Sequence, residues 1–388
     1  MMPAENTNHP GSVAIKRVLL GMSGGVDSST AAVLLQEQGY AVTGVTLKLW
    51  SESDEPDRQA KTGKTCCSLD DVLDARKVAD RLGIPHYVFN FKELFLDQVV
   101  QPFIDEYRLG RTPNPCILCN QAIKFDLLMQ RALAMGFDAV ATGHYARIDR
   151  DLISGEYRLR RSLDPRKDQS YVLYGLSQDQ LERVLLPLGA YRKDEIRTIA
   201  ADRGLVNARK PDSQEICFIN DEGYQAFLQR RQAAGDPGDF VDRDGNVIGR
   251  HRGISCYTIG QRKGLGQAFG SRVFVTDIDL RRNQVRLGSE EELSRSSLVA
   301  DQIKHTGIDP LTGPGVPALN ITAQIRYQAK PDAAVLTPLD DGRVQIDFAE
   351  PQRAITPGQA VVFYQEDRVL GGGRIITSIP EIFAPFGS

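Results

Sequence analysis

No apolar run in this chain of 388 residues approaches the ~20 residues that a membrane-spanning helix needs. Residues 1–12 are polar and lack the apolar core of a signal peptide, so residues 1–14 read as a disordered lead. They hold no arginine and one glutamate, which is unlike an organellar transit peptide, and a cytoplasmic location is expected. Repeats and low-complexity segments are absent. So is the Gly-x-Gly-x-x-Gly of a dinucleotide fold, and no Gly-Lys-Ser/Thr follows the glycine pair Gly24-Gly25, so that stretch is neither a dinucleotide turn nor a Walker loop. Cysteines number only six, and without an export signal they read as reduced thiols with chemistry rather than a disulfide framework. A strong charge imbalance is also missing, since the net charge is −3. Residues 158–263 nevertheless carry 19 Lys and Arg against 15 Asp and Glu, leaving −7 for the remainder. Local basic clusters fall at Arg158, Arg160, Arg161, Arg166 and Lys167, at Arg209 and Lys210, and at Arg250, Arg252, Arg262 and Lys263. Such clusters are most often solvated faces, with nucleic-acid contact as the alternative.

What the chain does have is Ser23-Gly24-Gly25-Val26-Asp27-Ser28-Ser29, directly after the apolar run Val18-Leu19-Leu20. The run reads as a buried parallel strand, and residues 30–38 as the helix that follows, ended by Gly39. The glycines therefore occupy a strand-to-helix turn, where unpaired N–H groups and the positive end of the helix dipole favour an anion. Gly24 and Gly25 permit close approach of the backbone to phosphate oxygens, and Ser23, Ser28 and Ser29 add hydroxyl donors.

Strand candidates 18–21, 41–47, 86–91 and 139–142 alternate with helical patterns at 69–82, 92–107 and 124–135. That alternation predicts an α/β fold with a doubly wound parallel sheet and a ligand site at the carboxyl ends of its strands. Residues 181–188 and 193–203 read as further helices closing this domain. Gly235-Asp236-Pro237-Gly238-Asp239 then marks a boundary, beyond which short alternating runs suit small β domains, the last of them a barrel. The expected division is 15–222 for the nucleotide-binding catalytic domain, 223–297 for a small central domain and 298–384 for the C-terminal barrel.

Cys116 and Cys119 lie in the Pro-rich stretch Arg111-Thr112-Pro113-Asn114-Pro115-Cys116-Ile117-Leu118-Cys119-Asn120. A helix beginning near Asn120 would place Cys119 near a helix N-terminus, which favours the thiolate. Cys217 follows Asp212-Ser213-Gln214-Glu215-Ile216, while Cys66, Cys67 and Cys256 read as buried small hydrophobes. A zinc site lacks a second pair with ligand spacing, and the loop is unlike a thioredoxin turn. An iron–sulfur cluster on Cys116, Cys119 and Cys217 stays open as an alternative.

The heptapeptide resembles the PP-loop of the ATP pyrophosphatases, in which Asp27 would help hold the Mg²⁺ that accompanies pyrophosphate. Over residues 17–376 the chain is similar to the bacterial tRNA-specific 2-thiouridylases. The resemblance rests further on Thr112-Pro113-Asn114-Pro115 with Cys119-Asn120, Ala141-Thr142-Gly143-His144-Tyr145, Lys167-Asp168-Gln169-Ser170-Tyr171 and Cys217-Phe218-Ile219. It also takes in the run from Tyr257 through Gly266, Ile325-Arg326-Tyr327, and the run from Arg353 through Gln359. It implies Cys119 as nucleophile and Cys217 as the cysteine that carries sulfur as a persulfide, the two forming a disulfide after delivery. ATP would contact Gly21, Met22, Ser23, Gly24, Gly25, Val26, Asp27, Ser28, Leu47 and Gly143. The tRNA would meet Asn114, Pro115, Cys116, His144, Lys167, Asp168, Gln169, Arg326, Tyr327 and Gln359. The implied reaction is ATP-dependent 2-thiolation of the wobble uridine of Lys, Glu and Gln tRNAs, fed by a cysteine desulfurase or sulfur-relay protein. One departure stands out: many family members carry Asp where this chain has Cys116, so an acid/base role there is in doubt. The alternatives are a PP-loop synthetase acting on a small molecule, with idle cysteines, and a non-catalytic tRNA-binding protein.

Overall fold

The computed structural model describes residues 15–50, 69–212, 216–219, 223–313 and 315–379. The lead at residues 1–14 and the pair Cys66 and Cys67 lie outside these. Strands β1 (Arg17–Gly21), β2 (Ala41–Lys48), β3 (His86–Asn90) and β4 (Ala139–Ala141) build a parallel sheet, with helices α1 (Val26–Glu37) and α2 (Leu69–Leu82) among its crossovers. Hairpin strands β5 (Ala146–Arg150) and β6 (Tyr157–Arg161) leave this sheet, and β7 (Val184–Leu185) returns to it. The order is β3-β2-β1-β4-β7, so the chain reverses direction between β1 and β4 and opens a crevice at their carboxyl ends. Leu19 faces one core, while Val18 and Leu20 face the other, as both-sided helical cover requires.

Two sequence expectations need correction. Residues 181–188 are not a helix: the helix stops at Arg183, and Val184 and Leu185 pair with Val140 and Ala141. The β-branched and aliphatic run here is strand material buried on the sheet edge. The helix carrying Cys119 does not begin near Asn120 but at Pro115, capped by the Asn114 side chain, which accepts from the Cys116 N–H at 3.1 Å. Proline at the first helical position after an Asn cap is a strong start signal. Cys116 therefore occupies the first turn, and Cys119 opens a π-helical stretch, Cys119–Leu127.

The central domain pairs β8 (Gly238–Val241), β9 (Val247–His251), β10 (Phe274–Asp279) and β11 (Gln284–Gly288) around Phe240, Tyr257, Val275 and Val285. Cys256 is fully buried in that core. The last domain comprises β12 (Ser294–His305), β13 (Leu319–Gln324), β14 (Asp332–Pro338), β15 (Val344–Arg353), β16 (Ala360–Gln365) and β17 (Arg368–Ile379). Pairing of β12 with both β15 and β17 closes the six strands into the expected barrel.

The barrel is fused to the first domain. On β16, Val361 and Phe363 point into the barrel core, whereas Ala360, Val362 and Tyr364 join the core of the first domain. The β5–β6 hairpin extends the barrel sheet through β17. This gives the first basic cluster a structural use. Arg160 pairs with Asp149 at 2.7 Å and Asp367 at 2.6 Å, and Arg161 lies 3.7 Å above the Tyr364 ring.

Phe103 is fully buried, with Tyr107, Phe218 and Phe227 at ring separations of 5.0, 5.2 and 6.2 Å. Phe103→Ala is expected to cost about 3–5 kcal/mol, read from the denaturant midpoint. A loss under about 1 kcal/mol would show that this cluster does not hold the domain.

Candidate active site

The turn after β1 is shaped from outside as well as by its own glycines. Gly24 has φ +71°, and a Cβ there would lie 2.3 Å from the Asp71 carbonyl oxygen. No side chain fits. Gly143, just beyond β4, faces the first turn of α1 so closely that a Cβ would sit 2.9 Å from the Ser28 nitrogen. The Asn207 amide donates to Gly24 O at 3.0 Å, Gly25 O at 3.2 Å and Ser29 Oγ at 2.7 Å. Lys210 donates to Gly24 O at 3.2 Å and also binds Asp71 and Asp74. With its carbonyls tied back, the turn and the N-terminus of α1 form a phosphate cradle.

Asp27, in the first turn of α1, anchors an ionic network. The Tyr145 hydroxyl donates to its Oδ1 at 2.7 Å, and Lys193 Nζ donates to Oδ1 at 2.7 Å and Oδ2 at 2.8 Å. Burial, followed by the Asp27 charge, pushes the Tyr145 hydroxyl far up, so it stays a donor. Lys193 also reaches Asp212 at 2.8 Å, and Asp212 binds Lys167 at 2.8 Å and Arg197 at 3.0 Å. Burial works against the Asp212 charge, but the hydrogen bonds from Lys167 and Lys193 outweigh it and hold its carboxyl below the usual range.

Cys119 is buried, Cys217 is half-buried, and both pack against one apolar cluster that also takes in Leu47. The Cys217 segment is held there by Phe218, 2% exposed, whose ring meets Phe95, Trp50 and Phe227 as well as Phe103. Cys116 is exposed.

The remaining sequence-predicted residues divide. Tyr327 is reached by several of them. Burial pushes its hydroxyl up, a hydrogen bond with Gln169 opposes this, and Asp168 and Cys116 add to the rise. Asp168 itself is a brace, accepting from Ser162 N, Ser170 N and Ser170 Oγ at 3.0, 3.2 and 2.9 Å. The Gln359 amide donates to Thr112 O at 2.8 Å, joining the barrel to the loop before Asn114. Arg326, Tyr327 and Gln359 line a cavity of about 850 Å³ with Tyr107, Thr112 and Tyr224, so all three domains contribute. His144 lies apart, 8% exposed, its Nδ1 2.7 Å from Thr142 Oγ1 and its ring 5.9 Å from Phe125.

Residues 16–221 match the family model described as tRNA methyl transferase HUP domain, residues 225–289 the tRNA methyl transferase PRC-barrel domain, and residues 296–375 the aminomethyltransferase beta-barrel domain. The chain is 52% identical over 367 residues to a tRNA-specific 2-thiouridylase MnmA of Desulforamulus reducens, covering 94% of this chain and 98% of the relative. It is 52% identical over 375 residues to that of Heliobacterium modesticaldum, covering 95% of each. The chain belongs to the tRNA-specific 2-thiouridylase family. Among solved structures it is similar to the U34-tRNA thiolase NcsA of Methanococcus maripaludis with its 4Fe–4S cluster, at TM-score 0.35 and 19% identity, covering 59% of this chain and 66% of that one. That likeness is too weak to carry an argument about the site.

Residues of this 2-thiouridylase-family chain suit some implied groups better than others. A hard carboxylate at Asp27 beside the phosphate cradle fits Mg²⁺, which is commonly held by one or two carboxylates plus substrate phosphates. The iron–sulfur alternative does not fit: among the described residues no three His, Cys, Asp or Glu side chains converge, Cys116, Cys119 and Cys217 included.

Sequence reasoning passed over Lys193, Asn207, Lys210 and Asp212 as site residues. Lys193 alone left a signal, because a lysine in the first turn of a helix opposes the dipole and needs another reason to be there.

Asn207→Ala should loosen the turn at a cost of about 1–3 kcal/mol, through carbonyls left without their donor. Titration with ATP should show weakened binding, and an unchanged affinity would remove Asn207 from the cradle. A second expectation concerns His144, held well below its ordinary value by burial and secondarily by Lys124. The unfolded chain takes up this proton near pH ~6.5 while the folded chain does not. The contribution is therefore full above about pH 6.5 and is lost as the pH falls towards the folded value. His144→Gln should flatten the fall in denaturation midpoint between about pH 6.5 and 5, and curves parallel to wild type would overturn this account.

Proposed function

We propose that this chain catalyses ATP-dependent 2-thiolation of the wobble uridine of tRNA, giving 2-thiouridine, AMP and pyrophosphate. The observation that carries the reading is the pairing of a phosphate cradle with Cys119 and Cys217 in one apolar cluster, in a member of the 2-thiouridylase family.

The carbon 2 oxygen of uridine is a poor leaving group. Its attack on the α-phosphate of ATP makes an adenylated base and releases pyrophosphate, whose charge the N–H groups of the cradle stabilise. We assign ATP to Gly21 through Ser28, with Leu47 and Gly143 beside it. Asp27 is the residue that would hold Mg²⁺, whose contribution when bound is to neutralise the pyrophosphate.

Sulfur arrives as a Cys217 persulfide. Its terminal sulfur attacks carbon 2, the carbon–oxygen bond breaks, and AMP leaves. The Cys119 thiolate then attacks Cys217 Sγ, so that a Cys119–Cys217 disulfide forms and the thiouridine sulfur keeps the electron pair of the broken sulfur–sulfur bond. An external thiol must reduce that disulfide before the next turnover. Cys119 is buried in the apolar cluster against which the half-buried Cys217 packs, a setting that limits water around the thiols.

For this chemistry the wobble base must leave its stack. We assign its approach to Asn114, Pro115 and Cys116 with Gln169, Arg326, Tyr327 and Gln359. The proximity of Cys116, Gln169 and Tyr327 supports that grouping. Lys167 and Asp168 act as supports, and His144 from within the core. On the same resemblance the substrates are Lys, Glu and Gln tRNAs, the donor is a cysteine desulfurase or relay protein, and the setting is the cytoplasm. No helix among the described residues is long and apolar enough to cross a membrane.

Unmodified tRNA, ATP, Mg²⁺ and a sulfur source should give thiolated RNA, retarded on a mercury-containing gel. Cys119→Ala and Cys217→Ala should each lower the rate ~10²-fold or more. Consumption of ATP by wild type without any retarded RNA would point to a different PP-loop substrate.

A further inference from the structure

We propose that Lys193 guards Asp27 against a bare divalent cation, so that Mg²⁺ reaches this carboxylate only together with nucleotide phosphates. This rests on the assignment above of ATP to the PP-loop and of Mg²⁺ to Asp27.

Lys193 is the first residue of the helix Lys193–Asp202, and its side chain is only 7% exposed. Its ammonium has three hydrogens to give. Nζ lies 2.7 Å from Asp27 Oδ1, 2.8 Å from Asp27 Oδ2 and 2.8 Å from Asp212 Oδ1. All three hydrogens are thus spent on two carboxylates. Asp27 is nearly as fully engaged, because the Tyr145 hydroxyl also donates to its Oδ1 at 2.7 Å. A carboxylate offers about four lone-pair sites, and three of these already face donors.

A divalent cation on the fourth site would sit within a few ångströms of the ammonium, and like charges in a partly buried crevice repel strongly. To bind Asp27 it must therefore displace Lys193. The ammonium would then keep one carboxylate instead of two while still buried, and a half-paired buried charge is costly. Mg²⁺ gains little in return, since it sheds water reluctantly and commonly needs phosphates beside one or two carboxylates. Asp212 is a poor second ligand, because Lys167 at 2.8 Å and Arg197 at 3.0 Å also bind it.

Phosphates at the cradle reverse this balance. They add negative charge beside Asp27, which lies in the first turn of the helix whose N-terminus forms the cradle. They also give the ammonium an anion to turn to while Asp212 keeps hold of it. A lysine suits this exchange, since its compact charge swings on a flexible four-carbon stem. Lys193 is in this sense a positioning residue, acting on the metal through Asp27. Metal and nucleotide are made to enter as one.

The experiment titrates Mn²⁺ alone into the full chain. Mn²⁺ favours the same oxygen ligands, and binding removes the paramagnetic resonance signal of the free ion. Wild type should bind it weakly. Lys193→Met should bind it about tenfold more tightly or better, a change that mere structural damage would not produce. Lys193→Gln gives the same readout should the Met variant fail to fold. Adding Asp27→Asn to either should abolish the gain. Lys167→Met takes one cation from Asp212 but leaves Asp27 paired, and should bind as weakly as wild type.

No gain in Lys193→Met and Lys193→Gln, an equal gain in Lys167→Met, or a gain that survives Asp27→Asn would overturn the guard. Wild type is also titrated with Mn²⁺ and ATP together, with protein-bound metal read from water-proton relaxation. Absence of a ternary complex there, or one undiminished by Asp27→Asn, would remove the Mg²⁺ assignment itself, and the guard with it.

Discussion

Strand β16 is buried on both faces, and the arrangement of the other parts follows from that. Val361 and Phe363 complete the barrel, while Ala360, Val362 and Tyr364 complete the first domain. Each fully buried large side chain contributes about 1.5–3 kcal/mol. The ion pairs from Arg147 and Arg160 to Asp367 are partly solvated and of the kind worth at most about 1 kcal/mol. Apolar burial therefore supplies the adhesion between the domains, and the arginines set the register in which they meet. That register brings Tyr327 to Cys116 and Gln359 to Thr112.

Two kinds of order divide the site. At the cradle, charge and backbone hydrogen bonds dominate: Asn207 and Lys210 hold the Gly24 carbonyl of the turn, and Lys193 holds the Asp27 carboxylate, while the N–H groups of the helix start stay free for an anion. Around the thiols the surroundings are aliphatic and aromatic, with Trp50, Phe95, Phe103 and Phe218 packed together. An apolar setting shields sulfur from hydrolysis, and a polar one favours phosphate. The crevice between β1 and β4 allows both in one fold, because the two sheet faces carry different cores.

What was legible in the sequence was what is local. The strand, turn and helix around Gly24 lie within a single stretch of chain, so residue order alone reveals a phosphate turn. The barrel showed itself through short alternating runs. Lys193, Asn207 and Asp212 were not legible as site residues, because each lies more than 160 positions from the PP-loop and reaches it only through tertiary packing. The β5–β6 hairpin was missed for another reason. Its strands are rich in arginine, which suggested a solvated or RNA-facing surface, yet the charges are spent on Asp149, Asp367 and the Tyr364 ring. Asn114 and Pro115 did carry the helix start in their side chains, but the expected start near Asn120 lies five residues too far along.

The wide helical turns have a consequence of their own. Cys119–Leu127 and Leu96–Val100 are both π-helical and pack against each other. A π turn accommodates one residue more than an α turn, so it acts as a silent insertion within a continuous rod. Every side chain beyond it is rotated by about 100° relative to an uninterrupted α-helix. Asn120, whose amide donates to Val172 O, and Phe125, against His144, lie within the Cys119–Leu127 stretch. The spacing between Cys119 and the residues that follow it is therefore written in a phase that counting by 3.6 misreads.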